Sequence, residues 1–257
     1  MLLALDIGNS DTTIGLWNGN TWLHIWRIPT KPDQPELFYG IKLRDYFFEA
    51  KVDVAKIETI VLSSVVPVLT DKLTGVIKIL LGKKPIILGP AIYNRLAIEV
   101  LNPYEIGSDL VSNAIAAYDH YKNTCIVVDF GTALTFTALS STGKILGVSI
   151  APGLKTAIKS LTQNTARLFD VPLQMPTSAL GTSTITAIQS GILVGYNGLI
   201  KSMVNEIRRE LKEDCPVVAT GGLSSVITPL HDFFDWVEPN LTLNGLRIVY
   251  ETLNVDE

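Results

Sequence analysis

The residues with most chemical promise in this sequence are aspartates set among glycines and small hydroxyl side chains. The run Asp6-Ile7-Gly8-Asn9-Ser10-Asp11-Thr12-Thr13 follows the apolar stretch Leu2 to Leu5. Gly8 lets the backbone turn sharply and approach a ligand. Successive small residues leave N–H groups to point at an anion, and Ser10, Thr12 and Thr13 add hydroxyl donors. A carboxylate repels phosphate, so Asp6 suits such a site if Mg²⁺ lies between the two, through water. The competing reading is a tight turn capped by Asp and Asn. Locally the two readings are even.

Three further stretches carry the same kind of promise. Asp129-Phe130-Gly131-Thr132-Ala133 repeats the pattern. One phosphate-gripping turn in each half of a chain suits a nucleoside triphosphate, and Asp129 would then bind a cation or orient its loop. As a plain strand-end carboxylate it would do neither. Ala219-Thr220-Gly221-Gly222-Leu223 ends a strand-like run in a glycine pair, where a flat group such as a nucleobase can lie against the backbone or the chain can simply turn into a helix. Asn102-Pro103-Tyr104-Glu105-Ile106-Gly107-Ser108-Asp109 leads into a stretch where Leu110, Val111, Ala114, Ile115 and Tyr118 recur at helical spacing. Asp109 thus sits at or beside a helix N-cap, a position that Asp favours for structural reasons alone. It also suits a general base for a substrate hydroxyl. A helix N-terminus lowers a carboxylate's pKa, so Asp109 is expected to be ionised and weakly basic. Phosphoryl transfer tolerates that, since its loose transition state asks mainly for positioning.

The elements that would place these residues occur twice. Residues 2–29 and residues 125–152 each begin with a mostly apolar run, then Asp, an apolar residue and Gly. Each continues through a small polar cluster, a second strand-like run and a Gly-containing turn, Asn18-Gly19-Asn20 or Ser141-Thr142-Gly143. A third run ends at Pro29 or Pro152, 23 residues after the Asp in both copies. This predicts a duplicated three-stranded meander. Helical stretches are expected at 37–50, 70–81 and 109–121 in the first half, and at 154–168 and 184–211 in the second. Strands are expected at 59–63, 85–88 and 216–220, with another helical stretch after Gly222. The implied fold is α/β: two ribonuclease H-like domains from an internal duplication, residues 1–121 and 122–257, with a cleft between them.

Composition sets the class. A chain of 257 residues with 47% hydrophobic and 18% charged residues is an ordinary globular one. Its net charge of −4 lacks the footprint of a nucleic-acid binder. No signal peptide is expected, because Asp6 interrupts the first apolar run and no basic segment precedes it. No run approaches the roughly 20 apolar residues that span a bilayer. A soluble, cytoplasmic protein without membrane partners follows. Cys125 and Cys215 read as buried thiols in a reducing compartment. His24, His120 and His231 show no metal-ligand spacing.

Taken together, DIGNS at Asp6, NPYEIGSD at Asn102, DFGTALTF at Asp129, IAPGL at Ile150, GTST at Gly181, IQSGILVG at Ile188, ATGGL at Ala219 and PNLTLNGL at Pro239 resemble the type III pantothenate kinases. These belong to the superfamily of sugar kinases, actin and heat-shock ATPases. The resemblance covers nearly the whole chain, and the order and spacing of the motifs are more specific than any one of them. It implies ATP-dependent phosphorylation of pantothenate on its primary hydroxyl, the first step towards coenzyme A. It implies ATP binding by Asp6 to Thr13 and by Thr132, with Asp6 holding Mg²⁺ through water. It implies Asp109 as the base, pantothenate contacts at Gly107, Ser108, Asp109, Leu110 and Thr184, and Asp129 as ligand of K⁺ or NH₄⁺. A homodimer is implied as well. The chain departs from the family where Leu110, Thr137, Val148 and Ser183 replace the usual Arg, Asp, Gly and Asn. Losing the arginine removes a charged contact to pantothenate's carboxylate, worth about 1.5–3 kcal/mol. Leu110 also motivates a second reading, a non-catalytic accessory relative with weakened pantothenate binding. A third is a phosphatase or polyphosphate hydrolase of the same fold.

Overall fold

Residues 1–165 and 167–254 are described by the structure, a computed structural model. Strands β1 (Leu2–Ile7), β2 (Asp11–Trp17) and β3 (Trp22–Pro29) form the first antiparallel meander. Helix α1 (Glu36–Glu49) leads to β4 (Thr59–Ser64), which runs parallel to β1. Helix α2 (Pro67–Leu81) leads to the short β5 (Ile86–Ile87), and α3 (Ser108–Tyr121) follows. The second meander is β6 (Cys125–Phe130), β7 (Ala133–Leu139) and β8 (Ile145–Pro152). Then come α4 (Leu154–Gln163), α5 (Thr184–Gln189), α6 (Gly195–Leu211), β9 (Val217–Thr220), β10 (Trp236–Val237) and α7 (Leu241–Asn254).

The two sheets have one plan. The first runs β3-β2-β1-β4-β5 and the second β8-β7-β6-β9-β10, with equivalent strands in equivalent places. The meander strands have 6, 7 and 8 residues in both copies. Each copy carries a register irregularity in the same place, at Leu16/Trp17 and at Ala138/Leu139. Its turn glycine adopts positive φ in both, +101° at Gly19 and +79° at Gly143, a conformation that costs little only without a Cβ.

Burial explains the central strands. Leu2 to Leu5 are all fully buried, as expected of a strand with neighbours on both edges and covered faces. Burying each such leucine contributes about 1.5–3 kcal/mol. Around them Ile14, Tyr39, Leu43, Leu62 and Leu73 complete the first core. In the second sheet Ile126, Val128, Phe136, Leu193, Ile200 and Val217 do the same. Helix α2 shows how local sequence sets boundaries. Pro67 stands at its start, and Gly82 ends it in the left-handed region, the two places that suit those residues.

The chain divides into two compact units, residues 1–116 with 242–257, and residues 117–241. The division expected at 121/122 differs from this at both ends. It fell at the end of α3, whereas the observed one lies within that helix, and it assigned α7 to the second half. Helix α7 instead packs on the first unit. Trp22 Nε1 donates to Asn244 Oδ1 at 2.9 Å and Ser112 Oγ to the Thr242 carbonyl at 2.8 Å. Gly245 lies so close to Ser112 that a Cβ there would strike its backbone. Three expected helices also differ. The one begun at Leu154 stops at Gln163, before the segment that holds Pro172 and Pro176. The long helix over 184–211 is α5 and α6 joined by a π turn, Ser190–Val194. After Gly222 the chain forms turns and a 3₁₀ stretch, Thr228–Phe233.

Candidate active site

In the first unit, Asp6 is the penultimate residue of β1, paired across to Thr13 on β2 and to Ser63 on β4. The turn that follows is tight: Gly8 N–H donates to the Asp11 carbonyl at 3.0 Å, and a Cβ on Gly8 would stand 3.0 Å from that oxygen. Asn9, Ser10 and Asp11 face solvent, while the Ile7 side chain is in the core. Ile7 can therefore serve a nucleotide only through its backbone. Thr12 is fully buried, and its hydroxyl stands 3.1 Å from that of Thr30. Thr30 Oγ1 donates to the Gly8 carbonyl at 2.7 Å, and Thr30 N–H donates to the Ser10 carbonyl at 2.9 Å. Since the Thr30 proton goes to Gly8, Thr12 is the donor between the two threonines. Thr30 thus holds the turn from below. Sequence reasoning missed it, although it directly follows Pro29, where the repeat ends.

The C-terminal end of β4 places the second carboxylate. Ser108, at the start of α3, sets its buried hydroxyl 2.9 Å from Ser63 Oγ and accepts from Ser64 N–H at 3.0 Å. Its side chain is committed to positioning α3, so a substrate would meet this residue through its backbone. Asp109 comes next. Its Oδ1 accepts from Leu110 N–H at 2.8 Å and folds back over Gly107, where a Cβ would collide with it. Burial raises the Asp109 pKa above the ordinary carboxylate value, and the backbone N–H groups of Leu110 and of Asp109 itself offset this only in part. This corrects the expected direction. The helix N-terminus does favour the carboxylate, but crowding of the site outweighs it. Tyr93, also missed in the sequence, is buried here, and its hydroxyl is pushed up to about 12 by burial and by the charge of Asp109. Leu110 is 9% exposed and part of the core.

In the second unit, Asp129 is paired across to Thr135 on β7 and Thr220 on β9. Thr135 Oγ1 is buried with no hydrogen-bond partner. Gly221 has φ +90°, and a Cβ there would stand 2.7 Å from Asp129 Oδ1 and 2.8 Å from Phe130 N. Gly221 is thus required by the carboxylate and the Phe130 backbone that it covers. The turn after β6 is one residue shorter than its counterpart: Gly131 N–H donates to the Ala133 carbonyl at 3.1 Å. Exposed Thr132 is held through its carbonyl, which accepts from Gly153 N–H at 3.0 Å and from Thr156 Oγ1 at 2.6 Å. Thr184, also exposed, opens α5 after a capping box between Ser183 and Thr186.

The fold therefore brings Asp6 to Thr13 and Gly107 to Asp109 to the same ends of neighbouring parallel strands within the first unit. Asp129, Thr132 and Gly221 gather at the equivalent strand ends of the second, with Thr184 on a separate helix of that unit. Oxygen donors dominate both sets. Among the described residues no group of three or more His, Cys, Asp or Glu side chains could hold a metal ion. Any cation bound here would draw on carboxylate, hydroxyl, carbonyl and ligand oxygens, a donor set that suits hard cations. The thiols of Cys125 and Cys215 are buried, and burial raises both, as befits packing side chains.

The family described as type III pantothenate kinase matches residues 2–206. A type III pantothenate kinase from Moorella thermoacetica is 39% identical over 251 residues, covering 98% of this chain and 99% of its own. Among solved structures, a Campylobacter jejuni protein assigned to the Baf family of transcriptional activators superposes with a TM-score of 0.59 at 22% identity, covering 98% of this chain and 99% of its own. An inorganic polyphosphate/ATP-glucomannokinase from Arthrobacter sp. strain KM gives 0.51 at 12% identity, covering 97% and 98%. The structural likenesses establish the fold, that of the sugar kinases and actin-like ATPases. A family match over residues 2–206 and 39% identity over 98% of the chain establish more: the chain belongs to the type III pantothenate kinase family.

Proposed function

We infer that this protein transfers the terminal phosphoryl group of ATP to the primary hydroxyl of pantothenate, the entry step to coenzyme A. The observation that carries this is Asp109, fixed by Leu110 N–H at 2.8 Å at the start of α3 in a chain 39% identical to a type III pantothenate kinase over 98% of its length. In this reading Asp109 takes the proton of the attacking hydroxyl. Its raised pKa makes it a better base than an exposed carboxylate. The atoms balance simply. The hydroxyl oxygen bonds to phosphorus, the bond to the bridging oxygen of ADP breaks, and Asp109 holds the proton.

The other roles follow the same logic. Asp6 to Thr13 receive the phosphates of ATP, with backbone N–H groups of Asn9 and Ser10 in the turn. Mg²⁺, when bound, neutralises the phosphate charge, and Asp6 would hold it through water. Asp129 would hold K⁺ or NH₄⁺; the unpartnered Thr135 hydroxyl across from it supports an oxygen-lined cation position. Thr132 is a second ATP contact. Gly107, Ser108, Leu110 and Thr184 border pantothenate, and with leucine at 110 its carboxylate must find other donors. A cytoplasmic homodimer completes the reading. Apolar surface beside α5, at Leu180 (84% exposed) and Ile185 (41%), supports association there. No helix of the described residues is long and apolar enough to cross a membrane. The test is phosphorylation of pantothenate by ATP with Mg²⁺ and K⁺, comparing wild type with Asp109→Asn. Loss of at least 100-fold in kcat is expected, and equal turnover refutes the role of Asp109.

A further inference from the structure

The motif Ile188-Gln189-Ser190-Gly191 has no part in the chemistry above, yet its two polar side chains are buried. Gln189 and Ser190 are each 7% exposed. They sit where α5 passes into the π turn, Ser190–Val194. A π turn under-winds a helix, so neighbouring residues share a face more closely, and such turns recur at functional sites. Here Ile188, Gln189 and Ser190 all point inward, and the two polar ones bond to the irregular segment that precedes the helix. Gln189 Nε2 donates to the Pro172 carbonyl at 2.9 Å, and Ser190 Oγ to the Ala179 carbonyl at 2.5 Å.

Two further contacts seat the same segment. Gly181 lies against α5 so closely that a Cβ would strike the backbone of Ala187 and stand 2.6 Å from the Thr186 carbonyl carbon. Ser183 closes a capping box with Thr186, its N–H donating to Thr186 Oγ1 at 3.0 Å. Val171 is in the core and Leu173 and Met175 pack against it, whereas the later part of the segment stands free of it, with Leu180 84% exposed. A stretch of backbone without strand or helix pairing keeps one conformation only if side chains satisfy it.

We infer that Gln189 and Ser190 are positioning residues for the phosphoryl acceptor: from the junction of α5 with the π turn they hold residues 172–183 against α5 and so fix the place of Thr184 at its start. The inference rests on the reading of Thr184 as a pantothenate contact. Segments held by few bonds populate open forms, and a substrate that needs the closed form binds more weakly in proportion.

The experiment compares wild type with Gln189→Met, which keeps the volume and removes the donor, with Ser190→Ala, and with both together. Steady-state kinetics are run for each substrate, and amide hydrogen exchange is followed over 172–183. The double variant is expected to raise KM for pantothenate roughly tenfold, from two bonds each worth several-fold. Its kcat and its KM for ATP stay within about twofold on the same reasoning. Exchange in 172–183 should quicken, and Ser190→Thr, which keeps a hydroxyl, should stay closer to wild type than Ser190→Ala. An unchanged KM for pantothenate, or equal changes in kcat and in KM for ATP, overturns the inference. So does unchanged exchange in 172–183. Failure of the wild type to phosphorylate pantothenate would instead refute the function proposed above, and exchange would still decide whether the clamp exists.

Discussion

Gly107→Ala is the sharpest test of how Asp109 is held. Added at Gly107, a Cβ lands on Asp109 Oδ1 and within 3.4 Å of Val65 Cγ1. It cannot move aside, because both ends of the stretch are fixed: Val111 N–H donates to the Gly107 carbonyl at 3.2 Å, and Ser108 is bonded to β4. To reach ordinary van der Waals separation the carboxylate oxygen must retreat by about 1 Å, a displacement of the scale that costs about 100-fold in rate. The same retreat breaks the 2.8 Å bond from Leu110 N–H. A bond to a charged group contributes about 1.5–3 kcal/mol, which is again about 10- to 150-fold. The assay is kcat for ATP-dependent phosphorylation of pantothenate, with thermal unfolding measured in parallel. A loss of about 100-fold in kcat, with KM for ATP nearly unchanged, is the expected result. The acid limb of the kcat profile should also move to higher pH, since losing a bond that favours the ionised form raises the pKa further. Wild-type kcat in a folded Gly107→Ala protein would refute the argument that this glycine exists to seat the base.

Thr30→Val removes the donor to Gly8 and the acceptor for Thr12 while keeping the shape. KM for ATP should rise about three- to tenfold with kcat for bound substrate little changed; titration with a fluorescent ATP analogue checks it, and unaltered affinity would show that the turn holds itself. Asp109→Asn should stabilise the fold at neutral pH. The native pKa lies above the unfolded one, so ionisation of Asp109 destabilises the native state at pH above the native pKa, and this cost fades as pH falls through that pKa towards the unfolded value. The melting temperature of the variant should therefore exceed wild type at pH 7 and converge with it in acid, and a constant offset across that range would contradict the cause assigned to the shift.

Much of the fold was legible because it is written twice. The matched Asp, Gly and Pro positions located both meanders, and apolar runs of strand length located β4 and β9. The helix boundaries at Gln163 and within 184–211 were not legible. Apolar periodicity continues across both places, and only packing of the following segment decides where the helix stops or under-winds. The candidate site was visible as motifs but not as geometry. Composition marks Asp109 as a capping residue in a field that lowers its pKa, whereas its basicity is set by crowding from distant parts of the chain. Thr30 and Tyr93 carry no local signal, since one threonine after a strand and one tyrosine in a turn are ordinary residues.

The placement of α7 also sets a clock. The unit that holds Asp6 and Asp109 joins residues 1–116 to residues 242–257, and Thr242 meets Ser112 and Asn113 just beyond the base, with Thr242 Oγ1 donating to Asn113 Oδ1 at 2.8 Å. During synthesis the second unit, continuous from 117 to 241, can close as soon as it leaves the ribosome, because domains fold as units. The first must wait until α7 has emerged. A chain that stops before residue 242 would thus carry a finished second unit and an open first core, with Gly15 and Trp22 stripped of their contacts to Leu243 and Asn244, a form that proteases and chaperones can tell from one that includes α7.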